Sequence, residues 1–234
     1  MIDIDKLRES VLSIFQQNLH STYLYGSAAN KQNDKNADIN ILILLKKSNY
    51  SQIENSAKFF KKWKRKIKTT PLIFDVEYLK ASLDIFPIEF NDIKYNHKLI
   101  VGKNIFEEIK IDNKNLRLQC EQEIKGNLIH LESVYMLNYK KYKKLKKAML
   151  EGLSSYAAVF RNILRLIEQD VKNRETNIKT AANILDFNPD PFLKLYGEKK
   201  GEIKLKKKGT YELYKSFFKE ATKLANSIDK IKVE

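Results

Sequence analysis

The segment YLYGSAANKQNDKNADINILILL, residues 23–45, carries polar residues where one apolar run ends and the next begins. In a strand alternate side chains share a face, so Asp38 and Asn40 point to the same side. In the preceding turn, Gly26 lets backbone N–H groups approach a phosphate closely, and Ser27 adds a hydroxyl donor. A carboxylate, an amide and a phosphate-binding turn together favour a site for a triphosphate beside a metal ion.

The elements around this segment follow from the spacing of apolar residues. Helical spacing predicts a helix over residues 5–19, which leads into a strand over 21–25. Residues 39–45 form a continuous apolar stretch that is typical of a strand covered on both faces. The capping-box pattern Ser51-x-x-Glu54 predicts the start of a helix that continues to about residue 68. We therefore expect two helices to flank two strands.

Three more strands are predicted before the composition changes, over residues 70–75, 86–93 and 98–102. Asp75 ends the first of them and can cap a helical turn. Pro87 cannot donate a ladder hydrogen bond, so we place it at the start of its strand or on a sheet edge. The first half of the chain thus combines strands and helices in one sheet-containing domain.

The second half of the chain is dominated by helical periodicity. The predicted elements are a helix of about 25 residues from residue 116, an apolar stripe over 139–149, and helices over 156–171 and 211–231. The sequence therefore predicts an α+β protein, with a mixed-sheet domain over residues 1–111 and an all-helical bundle domain over residues 112–234.

Composition restricts the chemistry and the compartment. Cys120 is the only cysteine and three histidines are scattered, so an internal disulfide and a zinc site are excluded and any metal is held by oxygen. The apolar runs are too short to cross a bilayer, and MIDIDKLRES carries acids where a signal peptide has basic residues. We expect a cytoplasmic protein with no membrane contact.

The net charge of +15 and the sequence pI of about 9.6 indicate a polyanionic partner. Three clusters carry six lysines or arginines each, at residues 61–68, 140–147 and 199–208. One such cluster is typical of the solvated face of a helix. Three in one chain favour salt-dependent binding to nucleic acid or to an acidic partner. Trp63 and the tyrosines near 139–142 could add base stacking, although their positions on apolar stripes favour the core.

The glycine-serine and aspartate-asparagine patterns resemble the signature of the DNA polymerase beta-like nucleotidyltransferase superfamily. That signature is apolar-Gly-Ser, a polar gap, and Asp-apolar-(Asp/Glu)-apolar on a central strand. The corresponding residues here are Tyr25-Gly26-Ser27 and Asp38-Ile39-Asn40-Ile41. The resemblance covers roughly residues 5–110, about half of the chain, and implies that the helical half is a substrate or partner domain.

The resemblance implies a two-metal reaction in which a nucleoside monophosphate passes from an NTP to a hydroxyl acceptor. In that reaction two Mg²⁺ ions would be held by Asp38, by Asn40 and by a third residue, with Asp38 bridging both ions. Gly26, Ser27 and Lys31 would bind the nucleotide phosphates.

The third metal ligand in this superfamily is a carboxylate between apolar residues on a later strand. Glu89, in the sequence PIEFNDI, fits that context and is assigned to metal binding and to proton acceptance from the attacking hydroxyl. Asp75, Glu77 and Asp92 are the alternatives.

Asn40 departs from the superfamily pattern, because an amide oxygen replaces the second metal carboxylate. An amide can ligate Mg²⁺ but brings no charge to offset two divalent ions. Two functions therefore stay open at the level of sequence. One is Mg²⁺-dependent nucleotidyl transfer, and the other is a catalytically degenerate module that binds nucleotide, nucleic acid or a partner.

Overall fold

The computed structural model describes residues 3–26, 29, 39–67 and 69–233. The chain folds into two compact units, residues 1–111 and 112–234. Within the described part of the chain, no helix is both long and apolar enough to cross a membrane.

The first unit is built on a mixed sheet. Its strands are β1 (Leu19–Tyr25), β2 (Asn40–Leu45), β3 (Leu72–Asp75) and β4 (His97–Gly102). They lie in the order β3-β2-β1-β4, with β1 antiparallel to both of its neighbours and β2 parallel to β3. The predicted α+β fold with a mixed sheet is confirmed, and β2 lies in the interior of the sheet, as its apolar sequence indicates.

Helices α1 (Ile4–Phe15) and α2 (Tyr50–Trp63) pack on one face of this sheet. The predicted capping box at Ser51 is wrong by two residues. Asn49 is the N-cap of α2, and its side-chain oxygen accepts hydrogen bonds from the backbone N–H of Gln52 (3.2 Å) and the hydroxyl of Ser51 (2.6 Å). An asparagine side chain is as good a cap as serine, so the helix starts earlier than the capping box suggests.

Helices α3 (Val76–Ala81) and α4 (Pro87–Tyr95) cover the opposite face of the sheet. The predicted strand over residues 86–93 is wrong, because these residues form α4. Pro87 occupies the first helical position, where its fixed φ suits a helix and its missing N–H has no intrahelical acceptor.

The second unit contains five long helices among its described residues: α5 (Asn113–Leu137), α6 (Tyr142–Leu166), α7 (Arg174–Leu185), α8 (Asp190–Lys200) and α9 (Lys207–Ile228). Most of the predicted stripe at 139–149 and of the predicted helix over 156–171 belong to the single helix α6, which begins after Tyr139 and ends at Leu166. Tyr156, Phe160, Phe192 and Phe217 form a contiguous aromatic core with ring centroids 4.7–5.4 Å apart. This unit is helical throughout its regular elements.

Candidate nucleotide-binding site

The candidate site lies at the edge of the sheet that is formed by the ends of the strands, where β1 ends and β2 begins. Tyr25, the last residue of β1, pairs with Asn40 on one side and with His97 on the other. Because β2 and β3 are parallel, with Leu42 opposite Leu72, the residues just before β3 reach the same edge. The first residues of β2, β3 and β4 and the last residue of β1 therefore lie at the same edge.

Gly26 begins the turn that leaves β1. Its φ is +72°, which glycine adopts without the steric cost that a Cβ would bring. The Gly26 N–H donates to the carbonyl oxygen of Asn96 (3.0 Å), and its own carbonyl accepts from the N–H of Ala29 (3.1 Å). The predicted phosphate-binding turn thus starts at a position that requires glycine. Ser27, Lys31 and Asp38 lie outside the described residues.

Asn40 lies directly beside this turn. A Cβ built on Gly26 would come within 3.1 Å of the Asn40 Nδ2. On the other side, the Thr69 hydroxyl donates to the Asn40 Oδ1 (3.0 Å) and lies 3.2 Å from the carbonyl oxygen of Ile39. The amide side chain is therefore held between the glycine turn and the segment that leads into β3.

Asp75, an alternative for the third carboxylate, lies on β3 next to β2, but at the far end of the pairing from Asn40. Asp75 pairs with Leu45, five residues along β2, which corresponds to about 16 Å at the usual rise of a strand. Its Oδ1 accepts from the N–H of Tyr78 (2.7 Å), so Asp75 caps α3, as the sequence predicts. Glu77 lies in the first turn of the same helix.

Glu89 is exposed and lies in the first turn of α4, so its predicted position on a strand is wrong. Asp92 lies one turn further along the same helix. Both therefore belong to a helix that packs on the sheet rather than to a strand within it. The context Ile-Glu-Phe that suggested a strand is also compatible with a helix, in which Ile88 and Phe90 are buried and Glu89 faces out.

The described residues do not fit a two-metal site. Among residues 3–26, 39–67 and 69–233, no group of three or more histidine, cysteine, aspartate or glutamate side chains is arranged to hold a metal ion. The polar group at the start of β2 is a neutral amide whose oxygen already accepts a hydrogen bond. The Gly26 N–H is likewise engaged, by the carbonyl oxygen of Asn96.

Two residues at this edge are missing from the sequence-based site. Thr69 comes shortly before β3. A prediction that β3 pairs in parallel with β2 would have placed Thr69 close to Asn40. His97 begins β4, and its Nδ1 lies 3.0 Å from the carbonyl oxygens of Ile93 and Lys94. Because carbonyls only accept, this Nδ1 carries a hydrogen and the ring is fixed in orientation.

The aromatic residues beside the edge are held in their neutral form. Tyr23 donates its hydroxyl to the carbonyl of Lys103 (2.8 Å) and accepts from the N–H of Ile105 (2.9 Å). Burial raises the pKa of the Tyr23 hydroxyl, and burial likewise raises the pKa of Tyr25. Neither side chain therefore adds negative charge to the site near neutral pH.

Comparison with known proteins agrees with this architecture. The family model described as "Nucleotidyltransferase domain" matches residues 4–125, just over half of the chain. The fold is similar to that of the spectinomycin adenyltransferase AAD(9) from Enterococcus faecialis, solved with ATP and spectinomycin. The TM-score is 0.57 and the identity 14%, over 97% of this chain and 98% of that one.

Two weaker structural similarities cover less than half of the chain. One is to a mutant of the toxin-antitoxin pair MntA-HpeT, with TM-score 0.34, 16% identity, and coverage of 46% of this chain and 79% of that one. The other is to the tri-AMPylated HEPN toxin of Shewanella oneidensis in complex with its MNT antitoxin, with TM-score 0.30, 16% identity, and coverage of 45% and 78%. The comparison with curated proteins finds no match. The extent of the family match shows that the chain belongs to the nucleotidyltransferase domain family.

Proposed function

We propose that the first unit binds a nucleoside triphosphate at the edge where β1 ends and β2 begins, and that it is a degenerate nucleotidyltransferase. In this proposal nucleotide binding is retained, whereas nucleotidyl transfer is slow or absent. The observation that carries the proposal is the neutral side chain of Asn40, whose oxygen is engaged by Thr69.

Retention of nucleotide binding is supported by the glycine turn. Gly26 has a positive φ, a conformation that favours glycine. It directly follows β1 and lies beside Asn40. In the family signature the phosphates of the nucleotide are bound at this position by Gly26 and Ser27, and Lys31 would add a positive charge. Because the Gly26 N–H already donates to Asn96, the proposal assigns phosphate binding to the Ser27 hydroxyl and the Lys31 ammonium.

Loss of efficient transfer is supported by charge. Two divalent cations bring four positive charges, and proteins offset them mainly with carboxylates. Of the Asp-apolar-(Asp/Glu) part of the signature the sequence retains only the carboxylate of Asp38, and Asn40 adds none. Asp75, an alternative to Glu89 for the third carboxylate, instead caps a helix.

The second candidate function is Mg²⁺-dependent transfer of a nucleoside monophosphate from NTP to a hydroxyl acceptor, with Asp38 and Glu89 as the carboxylates. It is favoured by one observation. Leu42 packs on the face of the sheet that α4 covers, and Asn40 shares that face by alternation. The helix that carries Glu89 thus lies on the same side of the sheet as the side chain of Asn40.

Isothermal calorimetry with ATP, GTP, CTP and UTP, with and without Mg²⁺, separates these functions when combined with an assay for pyrophosphate release. For the degenerate module we expect binding of at least one triphosphate that persists without Mg²⁺, and no release of pyrophosphate. Strict dependence of binding on Mg²⁺ and on the Asp38 carboxylate, lost in Asp38→Ala, would favour the transferase. The absence of any triphosphate binding would contradict both.

A further inference from the structure

Two of the three basic clusters meet at one end of the helical unit. We call this the basic end, defined as residues 138–147 together with 199–208, and each of the two segments contains six lysines. Lys146 links them, because its Nζ lies 2.6 Å from the Glu198 Oε1 and 3.5 Å from the carbonyl oxygen of Leu205. Charges that are 50 or more residues apart in the sequence are therefore neighbours in space.

Most lysines of the basic end are not neutralised. Ion pairs within the unit involve Lys146, Lys147, Lys200 and Lys208. Among residues 112–233 the remaining lysines of the basic end have no carboxylate within ion-pairing distance: Lys140, Lys141, Lys143, Lys144, Lys199, Lys204, Lys206 and Lys207. This surface therefore has a strongly positive potential, which attracts polyanions and is screened by salt.

The lysines are also poorly placed for helix stability. α6 follows Lys141 and α9 follows Lys206, and neither N-cap makes a side-chain hydrogen bond. The N-terminus of a helix carries partial positive charge, so lysines there are unfavourable. A run of lysines at two such N-termini is better explained by a ligand than by folding.

An aromatic strip borders the basic end. Tyr135 stacks in parallel on Tyr214, with ring centroids 5.0 Å apart and an interplanar angle of 5°, and it packs edge-on against Tyr139 at 6.1 Å. Tyr139 is 63% exposed, and the Lys140 Nζ lies 5.3 Å from its ring centroid. Exposed rings beside ammonium groups are the combination on which bases of a single strand stack.

A shallow, open groove adjoins the basic end between α6 and the last turn of α8. Its volume is about 430 Å³, and its lining includes Lys143, Lys147 and Lys199 together with one carboxylate, Glu151. The Lys199 Nζ lies 3.4 Å from the Ser154 hydroxyl. A volume of this size is in the range of small-ligand pockets, large enough for a nucleotide unit.

We propose that the basic end binds single-stranded nucleic acid. In this proposal the lysines of the two segments bind the phosphate backbone, and Tyr139 stacks on a base. A duplex fits less well, because its bases are already stacked within the helix and offer no free face to the ring. The proposal does not depend on the nucleotide site of the first unit.

The cluster at residues 61–68 is a weaker candidate for nucleic-acid binding. Trp63 is buried, as its position on the apolar stripe favours, so it is not available for base stacking. Its Nε1 donates to the Ser10 hydroxyl (3.0 Å), which fixes the indole in the core between α1 and α2. The aromatic residue of that cluster therefore has no free face for a base.

The charge component is tested by fluorescence anisotropy with a labelled 20-nucleotide oligouridylate. The variant Lys143→Glu/Lys144→Glu should bind at least tenfold more weakly than the parent. The slope of log Kd against log salt should also fall by about 1.4, which is about 0.7 for each phosphate that is no longer neutralised. The matched control is Lys172→Glu/Lys179→Glu, which makes the same charge change near the other end of α6 and on α7. Equal effects in the two variants would overturn the proposal.

The stacking component is tested by Tyr139→Ala. This exposed side chain should be replaced without loss of folding, and affinity for the oligouridylate should fall at least fivefold. Tyr139→Phe keeps the ring and should bind like the parent, and Tyr50→Ala, at a 76% exposed tyrosine of the first unit, should have no effect. Unchanged binding in Tyr139→Ala, or equal affinity for a duplex of the same length, would contradict binding of a single strand.

Discussion

The Thr69 hydroxyl donates a hydrogen bond to the Asn40 Oδ1 across 3.0 Å, and this bond joins the start of β2 to the segment that precedes β3. It occurs where the family signature has a second metal carboxylate. The amide is thus a structural link between two parallel strands, with Gly26 packed against its other end.

Replacement of Thr69 by valine tests this link. Valine keeps the shape of the side chain but removes the hydrogen bonds to Asn40 and Ile39, so we expect a loss of roughly 0.5–1.5 kcal/mol in the free energy of unfolding. Urea denaturation provides the measurement. The control is Thr70→Val, at an exposed neighbouring threonine, which should change stability by less than about 0.5 kcal/mol. Equal stabilities of the two variants would contradict a structural link at Thr69.

The Gly26 turn should not tolerate a side chain. Alanine there combines a strained φ with a Cβ placed 3.1 Å from the Asn40 Nδ2, so Gly26→Ala should lose about 1 kcal/mol or more of stability and bind triphosphate more weakly. In Gly126→Ala the Cβ meets nothing within 4 Å inside a helix, and stability should rise by roughly 0.5–1 kcal/mol. A neutral or stabilising Gly26→Ala would show that the turn has another conformation.

Asp75 should act as a helix cap and not as a metal ligand. Asp75→Asn retains a side-chain acceptor for the Tyr78 N–H and should be nearly as stable as the parent, whereas Asp75→Ala should lose about 1 kcal/mol. Neither change should alter triphosphate affinity, because Asp75 pairs with Leu45 at the opposite end of β2 from Asn40. Reduced Mg²⁺-dependent binding in Asp75→Asn would show that this carboxylate belongs to the site.

Glu220 should make the helical unit sensitive to acid. Burial raises its pKa, but the Asn188 N–H (2.8 Å) and the Lys223 ammonium (3.1 Å) outweigh burial, so the pKa lies below its ordinary value of 4.5. The ionised Glu220 therefore stabilises the folded state. This contribution to the free energy of unfolding is complete above the pKa of the unfolded chain, and it is lost as the pH falls through the pKa of the folded protein.

The test for Glu220 compares the parent with Glu220→Gln by thermal unfolding across pH. The variant should be less stable by roughly 1–2 kcal/mol near neutral pH, and this difference should shrink below pH 4.5. In Glu212→Gln, where the carboxylate is 66% exposed and 3.9 Å from Lys208, stability should barely change. A difference for Glu220→Gln that stays constant down to pH 3 would contradict the predicted titration.

The sequence predicts the parts of the fold that have strong local signals. β2 is recognisable because residues 41–45 form a continuous apolar run, and α5 because apolar residues recur three or four apart over 25 residues. α4 is mistaken for a strand because Ile88 and Phe90 alternate with polar residues over a short segment, where the two periods are hard to separate. The decisive signal is Pro87, which is favourable at the start of a helix.

Helices α7 and α8 are missed because they are short, with 12 and 11 residues, and so offer few turns in which to recognise a helical period. Their boundaries nevertheless carry recognisable residues: the Asn173 side chain caps the start of α7, Pro191 lies in the first turn of α8, and Gly201 ends α8 with φ +78°. In the site, Gly26 and Asn40 follow from the sequence, whereas Thr69 does not. Its hydrogen bond with Asn40 depends on the pairing of β2 with β3, which is a long-range property of the sheet.

The most direct test of the proposed function is calorimetry of ATP binding to Asn40→Asp, with and without Mg²⁺. A unit negative charge about 4 Å from a divalent cation contributes roughly 2 kcal/mol even at the dielectric constant of water, equivalent to about 30-fold in affinity. Asn49→Asp is the control, because it makes the same charge change at an exposed helix cap. We predict that Mg²⁺ strengthens ATP binding at least tenfold more in Asn40→Asp than in the parent or the control. A parent that already binds ATP only with Mg²⁺, with no gain in Asn40→Asp, would contradict the account.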